Sequence, residues 1–335
     1  MQTSSFFLAL PRILIPRTFT PRTAISAAVA SVFALAAVNA SADLSSRYVD
    51  NDGDMVADVP SDASQWVDPD TLVFAYTPVE DPAVYANVWS DFLRYLEQET
   101  GKRVQFFPVQ SNAAQLEALR AGRLHVAGFN TGSTPVAVNC GGLRPFTMMA
   151  SEDGSFGYEM EIITYPGSGI ASVEDLEGRQ LAFTSETSNS GFRAPSALLR
   201  SEYGMEAGEE FETAFSGSHD NSILGVVNKD YDAAAIANSV RKRMVSRDVV
   251  SENDYNIIYT SETFPTTAYG LAHNLHPELA ENIQNAFFSY DWEGTPLEAE
   301  FANSGEAQFI PISYQENWSV IRTIADANGV TYDCD

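Results

Sequence analysis

The order in which strand-like and helix-like stretches follow one another constrains the fold of this chain most. Residues 71–76, Thr-Leu-Val-Phe-Ala-Tyr, form an apolar run short enough for a buried strand. Residues 83–100 carry Val84, Val88, Phe92, Leu93 and Leu96 at helical spacing and are closed by Gly101. A second strand over 103–109, a helix over 112–121 stopped by Gly122, a third strand over 124–129 and a helix from about Pro135 follow. A β-α-β-α-β order implies a parallel sheet with right-handed crossovers.

The order then breaks and restarts. Residues 158–165 read as a strand that ends in Pro166-Gly167-Ser168-Gly169. Strands at 181–184, near 211–215 and at 232–236 alternate with helices that end at Tyr203, span about 221–228 and span 239–247. Short strands at 257–259 and 268–271 and helices at 277–289 and 313–328 complete the chain. One β/α unit is thus inserted into another. The expected fold class is α/β with two lobes, each a mostly parallel sheet flanked by helices. Residues 70–164 and 268–335 form the N-lobe and 165–267 the inserted C-lobe, with crossings near 161–165 and 265–271.

Before the first strand lie two segments of different character. Residues 1–42 combine Arg12, Arg17 and Arg22 with the apolar run 24–38 and small residues at Ala40 and Ala42. This is the pattern of a cleaved secretory signal peptide, and it predicts a periplasmic protein. Residues 43–69 are acidic and polar and read as a mobile N-terminal arm. Within them Asn51-Asp52-Gly53-Asp54 resembles part of a calcium loop, but the Gly is early and no bidentate Glu follows in place.

The formal charge is −26, and −29 without the three leader arginines. Nucleic acid and anionic membrane surfaces are poor partners for such a charge, and an anionic ligand has to be attracted locally. The chain has two cysteines, Cys140 and Cys334. In an oxidising compartment they can form a disulfide; alternatively Cys140 is a soft ligand. His and Cys show no metal-site spacing.

Three polar helix starts lie at the carboxyl ends of strands: 130–133, 187–191 and 218–222. Ligands of open α/β sheets bind at such ends. The densest is Ser185-Glu186-Thr187-Ser188-Asn189-Ser190-Gly191. Hydroxyls beside the unpaired N–H groups of a first helical turn make a site for a small anion, or simply an N-cap. The first start belongs to one lobe and the other two belong to the second, so their donors converge on a cleft between lobes. Asn130 and Thr131 are candidates from the first lobe.

The residues resemble the phosphonate/phosphite/phosphate family of periplasmic solute-binding proteins of ABC importers, a type II periplasmic-binding-protein fold. The resemblance spans about residues 70–320. It rests on Gln115-Leu116-Glu117-Ala118-Leu119-Arg120-Ala121-Gly122-Arg123, Glu152-Asp153-Gly154-Ser155-Phe156-Gly157-Tyr158 at the first crossover, Ser188-Asn189-Ser190-Gly191-Phe192 with Pro195, and Gly217-Ser218-His219-Asp220-Asn221. It implies that Ser188, Asn189, Ser190 and His219 hold a small phosphorus oxyanion, His219 donating from either ring nitrogen and gaining charge in acid. Asn112 and Phe129 fall where the family has ligand-facing tyrosines. Ser239 (or Asn238) and Thr267 fall where aminoalkylphosphonate binders carry acids, so phosphite, phosphate or methylphosphonate is expected to bind more tightly than aminoethylphosphonate.

The resemblance further implies a monomer with no cofactor that docks on an ABC permease in the inner membrane. The alternative is an arsenite-like oxyanion receptor partnering a sensor histidine kinase, with Cys140 in the site. The chain carries no Gly-x-Ser-x-Gly, His-Glu-x-x-His or P-loop motif, so an enzyme is not expected.

Overall fold

A computed structural model of the chain describes residues 44–331 and Cys334. The expected signal peptide lies outside the described residues. The first lobe opens with β1 (Thr71–Tyr76), then α1 (Pro82–Val88) and α2 (Ser90–Thr100). Asp81 accepts a hydrogen bond from the Ala83 N–H at 2.9 Å and Pro82 fills the first helical position, so α1 starts where its donors are satisfied. The single helix expected here is broken at Trp89, whose side chain is fully buried between the two pieces. Gly101, at φ 66°, ends α2.

The lobe continues through β2 (Arg103–Phe106), α3 (Asn112–Arg120), β3 (Val126–Phe129), α4 (Thr134–Gly141) and β4 (Leu143–Ala150). β4 has no counterpart in the sequence reading, because Arg144 and Pro145 interrupt its apolar character.

The second lobe holds β5 (Tyr158–Thr164), β6 (Gln180–Phe183), α5 (Ala194–Tyr203), β7 (Glu212–Phe215), α6 (His219–Val227), β8 (Ala233–Ala237), α7 (Asn238–Ser246) and β9 (Asn256–Phe264). The chain then returns through β10 (Ala268–Ala272), α8 (Pro277–Ser289), α9 (Pro296–Phe301), β11 (Gln308–Pro311), α10 (Tyr314–Asn317) and α11 (Ser319–Ala327).

The first sheet has the order β11-β4-β10-β3-β1-β2 and the second β7-β6-β8-β5-β9. β1, β2, β3 and β4 run one way, with β10 and β11 against them. In the second sheet β5 alone opposes the others. Each lobe thus has a parallel set with an opposed strand, β10 or β5, wedged into it, and β11 adds a second opposed strand at the edge of the first sheet. β5, which the sequence reading gave to the N-lobe, pairs with β8 and β9. The first crossing therefore lies between Ala150 and Tyr158, not at 161–165, and the second between Phe264 and Ala268.

Aromatic side chains fill the first lobe: Phe74 lies 4.7 Å from Trp89, Phe92 4.6 Å from Phe287, and Phe287 4.9 Å from Phe309, ring centre to ring centre. In the second lobe the Ala233-Ala234-Ala235-Ile236-Ala237 strand is buried throughout, as a central strand covered on both faces must be.

Residues 44–69 are not the free arm expected from their composition. The Ser45 N–H donates to the Asn139 carbonyl at 2.9 Å, the Tyr48 ring stands edge-on to His273, and Val67 and Asn274 are joined at 2.8 Å. Val56 and Ala57 are buried. The segment is a strap along the first lobe. Cys140, near the end of α4, and Cys334 form a disulfide that pins the C-terminal end to the same lobe.

Candidate functional site

The chain leaves β6 at Phe183, turns through residues 184–188 and enters a wide first turn, Asn189–Arg193, before α5. The Ser188 Oγ accepts from the Gly191 N–H at 3.0 Å. It is therefore the N-cap, and its own hydroxyl proton is still available to a ligand. Asn189 donates from Nδ2 to the Tyr158 hydroxyl at 3.2 Å, while among the described residues its buried Oδ1 has no partner.

His219 is the first residue of α6. Its Nδ1 accepts from the Ala237 N–H at 3.1 Å, so the ring proton of the neutral imidazole sits on Nε2. Burial pushes its pKa down to about 4, outweighing the attraction of the Glu80 carboxylate. This corrects the expectation of a His that donates from either nitrogen: it donates through Nε2 alone, and it gains charge only in acid near pH 4. Its backbone N–H reaches across to the Val79 carbonyl of the first lobe at 3.2 Å.

On the first-lobe side, the Asn130 Oδ1 accepts from the Ser133 N–H at 2.9 Å ahead of α4. The Thr131 hydroxyl donates to the Pro265 carbonyl at 2.8 Å and so is committed to the second crossing.

These segments meet around one cavity of about 50 Å³, between the lobes and beside the crossings. Ser188, Asn189, Ser190, His219, Asn130 and Thr131 all line it. The starts of the Asn189 turn, of α6 and of α7 reach it, the last through Ala237 and Ser239, and the turn ahead of α4 reaches it through Asn130 and Thr131. The positive dipole ends of these helices and the polar side chains at their starts surround a space suited to a compact anion.

Two sequence candidates are not in the lining. Phe129 is fully buried in β3, within the sheet. Asn112 lies behind the cavity, with Nδ2 donating to Thr187 Oγ1 at 2.8 Å and Oδ1 accepting from Asn130 Nδ2 at 3.0 Å. Asn112 thus bridges the lobes and does not face the ligand space. With Cys140 and Cys334 bonded to each other, neither sulfur is a soft ligand.

The lining also includes Tyr76, Met149, Tyr158, Thr266, Arg243 and Glu306, none of which was a ligand-site candidate in the sequence. Arg243 sits in the basic run Arg241-Lys242-Arg243, which reads locally as a solvated helix face. Only long-range partners reveal it as buried. Its guanidinium lies 3.3 Å from Glu80 and 3.4 Å from Glu300, both in the first lobe. Glu80, although buried, is held below the usual carboxylate range by Arg243 and Arg247. Glu306 is driven the other way by burial, against the pull of Arg243.

Asp50, Asp52 and Asp58 cluster within 4.8 Å of one another in the strap. Asp50 and Asp58 are already engaged there by the Gly53 and Asn51 N–H groups, at 2.7 and 2.9 Å.

The chain is 27% identical over 278 residues to the phosphate-import protein PhnD of Mycolicibacterium smegmatis, covering 80% of this chain and 86% of that one. It is 24% identical over 237 residues to the phosphonates-binding periplasmic protein of Escherichia coli, covering 67% and 69%. Its fold superposes on PhnD1 of Prochlorococcus marinus, solved with methylphosphonate, at a TM-score of 0.69 and 16% identity over 78% of this chain and 99% of that one. A binding protein of an ABC phosphonate transporter from Pseudomonas aeruginosa gives a TM-score of 0.68 at 20% identity, over 77% and 86%. A sequence description of the family "ABC transporter, phosphonate, periplasmic substrate-binding protein" matches residues 74–318, well over half of the chain. The two-lobed fold, the polar cavity at the crossings and this match together place the chain in the family of periplasmic substrate-binding proteins of ABC phosphonate transporters.

Proposed function

We propose that the cavity binds a small phosphorus oxyanion (phosphonate, phosphite or phosphate) and that the closed, loaded protein delivers it to the permease of an ABC importer. The observation that carries this is the convergence of three helix starts, with Ser188, Asn189, Ser190 and the Nε2–H of His219, on one cavity. Oriented N–H and O–H donors, already paid for by the fold, replace the hydration shell of an anion that bulk electrostatics would repel. The size of the cavity suits a tetrahedral oxyanion with at most a short substituent. In this reading the protein acts as a monomer in the periplasm after loss of residues 1–42. The arsenite-sensor alternative loses its motivating ligand once both sulfurs are in the disulfide.

A thermal-shift screen with phosphate, phosphite, methylphosphonate, aminoethylphosphonate and arsenite tests the reading, because a ligand of the folded state raises Tm. At least one of the first three is expected to raise it, and Ser190→Ala to lower that ligand's affinity about tenfold or more. No shift with any phosphorus oxyanion rejects the reading. Aminoethylphosphonate as the tightest ligand rejects the selectivity expected from neutral Ser239 and Thr267.

A further inference from the structure

The cavity contains one group that an anion site has no obvious use for, a buried carboxyl. Glu306 precedes β11 and belongs to the first lobe. It therefore stands on the wall across the cleft from the Ser188–Ser190 turn and His219, and it lines the same space. It is 8% exposed. Its Oε2 accepts the Ser304 hydroxyl, and its backbone N–H donates to the Phe301 carbonyl at 3.2 Å. The charged and titratable groups around it are Arg243 and Lys242 of α7, Tyr76 of β1, Tyr269 of β10 and Glu300 of α9.

An ionised Glu306 beside a bound oxyanion places two like charges in one closed space. The Arg243 guanidinium in the lining is shared with Glu80 and Glu300, so three further things could relieve the conflict: a metal ion, a ligand ammonium or a proton. Among the described residues the acids clustered for a metal are Asp50, Asp52 and Asp58, outside the cavity lining, and the Arg243 guanidinium that lines it disfavours a second cation. A proton fits. Burial already raises the Glu306 carboxyl, with Arg243 opposing, so a proton is held there at modest cost.

We propose that Glu306 shares one proton with the bound oxyanion, so that the cavity selects phosphorus oxyanions, which carry an acidic P–OH, over sulfur oxyanions of the same shape, which do not. This deepens the proposed function and rests on it. No covalent bond changes. Either the ligand P–O–H donates to the carboxylate, or the carboxylic O–H donates to the P–O⁻ oxygen, and the proton count of the complex is the same. A sulfonate brings no proton and must draw one from solution onto Glu306 before it fits.

Methylphosphonate and methanesulfonate differ in little but that proton. In calorimetry at neutral pH the wild-type protein should bind methylphosphonate on the order of ten- to a hundredfold more tightly than methanesulfonate. In Glu306→Gln, whose amide can both donate and accept with no titration, the two affinities should come within about threefold of each other. A wild-type protein without the preference, or a Glu306→Gln protein that keeps it, overturns the proposal. If the variant does not fold, the wild-type pH profile decides. Methanesulfonate affinity should fall about tenfold per pH unit above the titration of the carboxyl, whereas methylphosphonate affinity should hold until the ligand loses its own second proton. Parallel profiles overturn the proposal.

Tight methylphosphonate binding without discrimination sinks the proton-sharing role and leaves the proposed function standing. Failure of every phosphorus oxyanion to bind sinks both. Aminoethylphosphonate binding tightest, and losing that advantage in Glu306→Gln, identifies an ammonium partner and also overturns the proposal.

Discussion

For a single side chain, what matters in the cavity is which polar atoms remain once the fold has used the others. Ser188 spends its lone pair on the Gly191 N–H, and His219 spends Nδ1 on the Ala237 N–H; each keeps one proton to donate. The cost of this arrangement appears in acid. The pKa of His219 falls from 6.5 to about 4 on burial, so between those values the unfolded chain takes up a proton that the folded chain refuses. This contribution to stability is complete above about 6.5 and lost as pH falls toward 4, by roughly 3 kcal/mol over the interval. Denaturant unfolding at pH 7 and pH 4 should show the wild-type protein losing more stability than His219→Gln by about that amount. Equal losses would mean that the histidine is not the group that titrates. The sequence marked Ser188, Asn189, Ser190 and His219, but not the tautomer of His219, because its partner is on β8, outside its own helix.

Two glycines let secondary-structure elements approach as closely as the site requires. A Cβ on Gly191 would lie 2.0 Å from the Thr184 hydroxyl, so the turn after β6 can close only around glycine. A Cβ on Gly132 would lie 2.2 Å from the Thr187 carbonyl and 2.6 Å from the Asn189 N, and these contacts run between lobes. The Gly132 carbonyl also accepts from Arg193 Nη1 at 2.9 Å. Gly132→Ala should therefore leave each lobe folded but prevent the closed state. Ligand affinity should fall tenfold or more, while unfolding of the unliganded protein changes little. Calorimetry beside a melting curve separates these effects, and unchanged affinity would count against the closure contact. The strands and helices with strong periodicity were legible in the sequence. β4, α9 and β11 were not: β4 contains Arg144 and Pro145 and owes its strand geometry to pairing with β10 and β11.

Across the whole molecule, a buried ionic cluster ties the lobes together. Arg243 on α7 and Arg247 just past its end meet Glu80 and Glu300 of the first lobe, and the Tyr85 hydroxyl donates to Glu80. Glu80 is 1% exposed at its side chain, so the cluster is largely shielded from salt. Removing one carboxylate from such a cluster leaves guanidinium charge buried without its partner, at a cost of about 3–5 kcal/mol. Opening the cleft re-solvates that charge, so Glu80→Gln should favour the open form. Small-angle scattering with ligand should report a larger radius than wild type, and affinity should drop at least tenfold. A variant that closes and binds normally would show that the cluster does not hold the lobes together.

The sequence by itself determined the alternation of strands and helices, the interruption that inserts one lobe into another, and the polar helix starts at 187–191 and 218–222. These are local patterns, since strand and helix periods and capping residues are written in neighbours a few positions apart. Only the tertiary structure decided that Asn112 bridges lobes, that Phe129 belongs to the sheet, and that Arg243 and Glu306 reach the cavity. It also turned the acidic arm into a strap and moved the first crossing to residues 151–157. In each case the deciding partner lies far away in the chain, and burial of a charged or polar group is set by what packs over it. That information is absent from the few residues on either side.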